Sequence, residues 1–95
     1  MTRLVWAPQA IEDVEAIRAY VARDSPHYAD LVVERIVAAV ARLENYPLSG
    51  RVVPEVADQS LREVIHASYR IVYRLRPDVV EILTVFHGAR LLRLD

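Results

Sequence analysis

Ninety-five residues are enough for one domain, taken as residues 1–95, with a core of about two layers. An apolar fraction of 54% excludes a disordered chain, and a net charge of −1 argues against simple non-specific binding to nucleic acid. The lack of cysteine rules out disulfides and thiolate metal centres.

Cysteine-free composition also fits a reducing, intracellular setting. No charged-then-apolar leader opens the chain, and no apolar run approaches the roughly 20 residues that span a bilayer. A soluble, cytoplasmic protein is therefore the expectation. All twelve basic residues are arginine. Each keeps its charge in any setting and offers a planar fork suited to carboxylate or phosphate. Residues 1–60 hold six arginines and nine acids, whereas 61–95 hold six arginines and four acids.

Arg3 to Trp6 is a short β-prone run closed by Ala7-Pro8. Proline fits the first helical turn, where its missing N–H leaves nothing unpaired. From Pro8 the spacing of Ile11, Val14, Ile17 and Val21 predicts a helix over 8–23, with Glu12, Asp13, Glu15 and Arg18 on its other face. Ser25-Pro26 is a helix start, an N-cap followed by a first-turn proline. The second helix should run over 26–45, buried along Ala29, Val32, Val33, Ile36, Val37, Val40 and Leu43. So short a connection forces the two helices into an antiparallel hairpin.

The segment from Pro47 to Ser60 holds Gly50 and two prolines and has no helical period, so it reads as a loop. Beyond it the period becomes two. Strands are predicted at 61–66, 69–75 and 80–87, consecutive neighbours joined through Ala67-Ser68 and the hairpin turn Arg76-Pro77-Asp78. The resulting order is β-α-α-β-β-β. It is an α+β fold with the helical hairpin on one face of an antiparallel sheet. The expected core is Val14, Ile17, Val33, Ile36, Val40, Ile71, Tyr73, Ile82 and Leu83.

If Ile71, Tyr73 and Leu75 face the helices, Arg70 and Arg74 point to the other face, and Arg62 can join them from the neighbouring strand. Three guanidinium groups there would suit phosphates or a partner's carboxylates. The same alternation is also met by exposed cross-strand ion pairs with Glu63 and Glu81. His87 and Arg90 follow the end of the last strand, where site residues often gather. His27 and His66 read as surface residues. No acid–histidine cluster has ligand spacing, so neither metal nor cofactor is expected.

Several segments, in this order and spacing, resemble the RelE/ParE superfamily of bacterial type II toxins over nearly the whole chain. They are the opening strand into Trp6-Ala7-Pro8, then Ala10, Asp13 and Ile17, Ser25-Pro26, Pro47 with Gly50-Arg51, and Leu61-Arg62-Glu63. The most specific are Tyr69-Arg70-Ile71-Val72-Tyr73-Arg74 and Val85-Phe86-His87-Gly88-Ala89-Arg90. The resemblance implies a small toxin neutralised by a cognate antitoxin, in a complex burying on the order of 2,000 Å² or more. It also implies one of two targets, DNA gyrase or mRNA on the ribosome.

In the RNase branch, Arg70 and Arg90 match arginines that contact the scissile phosphate, and His87 resembles a proton-transfer residue. RNA cleavage needs a base and an acid besides charge stabilisation. The lysines of the RNase branch are replaced here by Leu61-Arg62-Glu63-Val64, and no tyrosine follows Arg90. The pattern is closer to ParE-type members, which the resemblance implies have no catalytic residues of their own. Gyrase poisoning is the preferred expectation, a ribosome-dependent endoribonuclease the alternative. A degenerate member that only holds its antitoxin is a third.

Overall fold

The computed structural model describes residues 2–88. Strand β1 (Arg3–Trp6) leads into helix α1 (Pro8–Ala22), and α2 (Pro26–Ala41) follows after a short turn. Pro8 opens α1 without a side-chain cap, whereas Ser25 Oγ caps α2 by accepting a hydrogen bond from Tyr28 N at 3.1 Å. The last turn of the second helix tightens into a 3₁₀ turn over Arg42–Glu44, so the α-helix stops short of the expected 45.

Next come β2 (Arg51–Val52), β3 (Leu61–His66), β4 (Tyr69–Arg76) and β5 (Val79–His87). The two predicted turns are present, with Ala67 and Asp78 at φ 52° and 63°. The sheet order is β1-β5-β4-β3-β2. Two features differ from the sequence expectation. The sheet is mixed rather than antiparallel, because β1 runs parallel to β5, with Arg3 opposite Val79 and Trp6 opposite Ile82. Strand β1 must hand the chain to α1, which packs back across β5, and that return sets its direction. The second difference is β2, a two-residue strand inside the expected loop, paired with Arg62 and Glu63.

Both helices cover one face, as expected. Ala10, Val32, Ile36 and Val40 pack there with Ile71, Tyr73, Val80, Ile82 and Val85, and Val14 and Ile17 are partly buried against them. Leu83 is not part of this core. It joins Phe86 against a second small cluster of Val53, Leu61 and Val72 on the opposite face. The cause is a register shift between β4 and β5: Tyr73 pairs with Ile82 while Val72 pairs with Thr84. The extra residue puts both Ile82 and Val85 inward, a spacing that strict alternation forbids. Asp13, on the face of α1 expected to be solvent-exposed, holds the shift in place. Its Oδ2 accepts hydrogen bonds from Thr84 Oγ1 and from Val85 N.

Candidate functional site

The sheet face away from the helices carries Arg70, Val72 and Arg74 of β4 beside Leu61, Glu63 and Ile65 of β3, since directly paired residues share a face. The segment after β2 folds over this surface: Val53 is buried against Leu61 and Val72, and Glu55 reaches Arg70 near the start of β4. Arg70 is the centre of the arrangement. It is 5% exposed, and its Nε and Nη2 donate to Glu63 Oε1 at 2.8 and 2.5 Å. Its Nη1 and Nη2 also donate to Glu55 Oε2 and Oε1 at 2.8 and 2.7 Å. The Glu63 carboxylate is shared, because Arg51 Nε donates to its other oxygen at 2.7 Å. Phe86 lies against the Arg70 guanidinium, 5.1 Å from ring centroid to Cζ.

A buried charge survives only when paired and hydrogen-bonded, and this one is both. Its hydrogen bonds to Glu55 foremost, then those to Glu63 and the charges of both acids, raise the Arg70 pKa above its ordinary value against the opposing effect of burial. The arginine is locked in its charged form.

Arg74 shares the Arg70 face but binds elsewhere, its Nη1 donating to Ser60 Oγ at 3.2 Å and lying 3.7 Å from Asp58 Oδ2. Hydrogen bonds from the Ser60 side chain and backbone, with a smaller contribution from Arg74, hold the Asp58 carboxyl below the usual range. Arg62 does not join Arg70 and Arg74. It pairs with Tyr73 and so lies on the helix side, with its Nη1 and Nε donating to the carbonyls of Gly50 and Gln59 at 3.0 and 3.1 Å.

The three-arginine face predicted from alternation is thus not assembled. Of the exposed ion pairs considered, Glu63 is instead buried with Arg70, whereas Glu81 does form an exposed cross-strand pair, with Arg76 at 3.2 Å. His87 is exposed at the end of β5, its ring edge-on to Tyr69 with centroids 6.2 Å apart. Arg90 lies outside the described residues. Among the described residues no group of histidines and acids could hold a metal ion.

Sequence reasoning missed Glu55 and Arg51. Neither sits in a periodic stretch, and only the pairing of β2 with β3 brings Arg51 opposite Glu63. Beside the network lies an open cleft of ≈ 340 Å³ lined by Arg51, Pro54, Glu55, Ile65, Arg70 and Gly88.

The family model described as the ParE toxin of type II toxin–antitoxin systems, parDE, matches residues 4–92. The chain belongs to the ParE toxin family. Two relatives are also named as toxins. Y4kP of Sinorhizobium fredii is 42% identical over 88 residues, covering 90% of this chain and 88% of that protein. Toxin RelE2 of Caulobacter vibrioides is 36% identical over 92 residues, covering 96% of this chain and 100% of that one.

Two solved structures share the fold of this ParE-family chain. A chromosomal ParDE toxin–antitoxin system from P. aeruginosa superposes with a TM-score of 0.75 at 24% identity, covering 92% of this chain and 96% of that one. The toxin–antitoxin complex RelBE2 from Mycobacterium tuberculosis gives 0.60 at 22%, covering 90% and 96%.

Proposed function

We propose that this ParE-family toxin is neutralised in the cytoplasm by a cognate antitoxin and arrests growth by poisoning DNA gyrase, with no acid–base chemistry of its own. The observation that carries the reading is the state of Arg70. An RNase of this superfamily needs that guanidinium free for a scissile phosphate. Here it is buried and bonded to two carboxylates. A phosphate entering beside Glu55 and Glu63 would meet two negative charges before it met the cation. A surface that acts by docking to a protein has no such requirement.

The antitoxin belongs to the same proposal. The names of both structural neighbours describe toxin–antitoxin systems, and the chain exposes large apolar residues such as Ile11, Val37 and Leu48. The alternative target, mRNA on the ribosome, draws on the 36% identity to Toxin RelE2 and on His87 at the end of β5.

The test uses induced expression and purified chain together. An SOS response and inhibited supercoiling with intact mRNA are expected. Codon-positioned mRNA cuts in programmed ribosomes, with supercoiling unaffected, would replace gyrase by the ribosome. Free high-level expression with no growth effect would remove toxicity from this copy.

A further inference from the structure

The two edges of the sheet are finished differently. Strand β2, at one edge, is two residues long, and Pro54 follows shortly after it. A very short strand and a nearby proline both blunt an edge against further pairing. Strand β1, at the other edge, is four residues long, keeps a regular register with β5, and holds no proline and a single charge, Arg3.

The bonds between β1 and β5 show which backbone groups are left over. Arg3 N donates to Asp78 O at 2.9 Å, and Ala7 N donates to Ile82 O at 2.8 Å. Alternate residues of a strand point their backbone groups the same way, so Val5 also faces β5. The N–H and C=O groups of Leu4 and Trp6 then face outward, and among the described residues no turn, loop or cap bond reaches them. The side chains at this edge are apolar on both faces. Leu4 and Trp6 are partly buried against the helix-side core, and Val5 is 37% exposed on the opposite face.

We propose that β1 is a self-pairing edge: two copies of this chain join through it, antiparallel about a twofold axis at Val5, into one continuous sheet. In this register Leu4 of each copy stands opposite Trp6 of the other, and each such pair exchanges both of its N–H···O bonds. Val5 meets Val5 on the axis, in the closer, non-hydrogen-bonded kind of pair. Neighbouring registers fit less well. Centring on Leu4 sets Arg3 against Val5 and Thr2 against Trp6. Centring on Trp6 sets Leu4 against Pro8, which has no N–H to exchange. With the axis at Val5, Arg3 lies opposite Ala7, and the two Arg3 side chains stand at opposite ends of the pairing, so no like charges meet.

A second copy suits this edge because β1 supplies the cover that β1 needs. It brings apolar side chains to the helix side and a valine to the other face. The pairing is isologous, so it closes at two copies and leaves only the blunted β2 edges at the outside of the joined sheet. Both helical hairpins then lie on the same side of that sheet. The contact is short and falls below about 1,200 Å², so the dimer is weak and forms as concentration rises. The inference is independent of the toxin's target.

Sedimentation equilibrium of the purified chain between about 1 μM and about 1 mM should show a monomer passing to a dimer and to nothing larger. Amide exchange followed by NMR at both ends of that range identifies the edge. Leu4 and Trp6 should exchange about tenfold more slowly in the dimer, whereas Val5, already bonded to β5, should not change. Val5→Lys puts like charges on the axis but stands beside Glu81 in the register of β1 with β5, so it should fold and remain monomeric. Val5→Glu alone should also remain monomeric, and mixing it with Val5→Lys should restore the dimer.

A wild-type chain that stays monomeric to about 1 mM would overturn the proposal. So would a dimer in which Arg51 and Val52, rather than Leu4 and Trp6, gain protection. A dimer that Val5→Lys leaves intact, or growth beyond two copies, would overturn it as well.

Discussion

At the scale of single residues, the ring hydroxyl of Tyr73 decides more than its size suggests. The side chain is fully buried in the helix-side core, yet its hydroxyl donates to Pro47 O at 2.8 Å and accepts from Gly50 N at 2.9 Å. It ties the loop before β2 to the middle of the sheet. Gly50 is required by this approach, since a Cβ there would lie 2.6 Å from Glu63 O and closer still to the hydroxyl. Tyr73→Phe keeps the ring but leaves a buried N–H and a carbonyl without their partner. Urea unfolding should show a loss of roughly 1–3 kcal/mol. Burial raises the Tyr73 pKa above the ordinary 10.0, with the Gly50 hydrogen bond and Arg62 opposing. The unfolded chain therefore releases this proton first. Stability should be intact below pH 10 and fall as pH rises above it, a dependence that Tyr73→Phe should reduce.

At the scale of elements, the register shift in β5 sets which side chains reach which face. Asp13 holds it through Thr84 and Val85. Asp13→Ala should cost roughly 1–3 kcal/mol in urea unfolding and speed exchange of the Val85 amide, whereas Asp13→Asn, which keeps an acceptor, should cost less. The helix layer is tested at Ile36, fully buried between α2 and the sheet. Its replacement by alanine should cost about 2–5 kcal/mol, from lost transfer energy and the cavity left behind.

These elements also show what the sequence could and could not reveal. Strand β3 has the predicted bounds because Arg62, Val64 and His66 alternate cleanly with their neighbours. Helix α2 is announced by Ser25-Pro26 and by a wide apolar stripe. Leu83 was listed in one core with Ile82 and packs instead against the second cluster, because an irregularity of one residue leaves no mark on an apolar run such as Val79 to Phe86. Strand β2 is too short to have a period, and the direction of β1 depends on a pairing with residues almost 80 positions away. Arg62 was misplaced by assuming that arginines one strand apart share a face, which register alone decides.

At the scale of the whole molecule, the chain has two layers plus a partial third. The helices cover one sheet face, and the segment carrying Val53 and Glu55 covers part of the other. That added cover is why Arg70 is buried, and burial of Arg70 is the observation on which the proposed gyrase reading rests. The sharpest prediction therefore avoids Arg70, whose replacement would harm a phosphate site, a protein interface and the fold alike. His87 is better placed. It is exposed at the end of β5, and its ring meets Tyr69 edge-on. If the toxin acts by docking to gyrase, His87→Ala removes a modest contact, and growth arrest and supercoiling inhibition should stay close to wild type. If it cleaves mRNA, His87 is the best-placed described group for proton transfer, and the same change should slow cleavage by about 10²–10⁴-fold. Purified wild type and His87→Ala, each assayed with gyrase and with programmed ribosomes, distinguish the two. Inhibition of supercoiling by both proteins is the expected result, and ribosomal cleavage that disappears with His87 would overturn it.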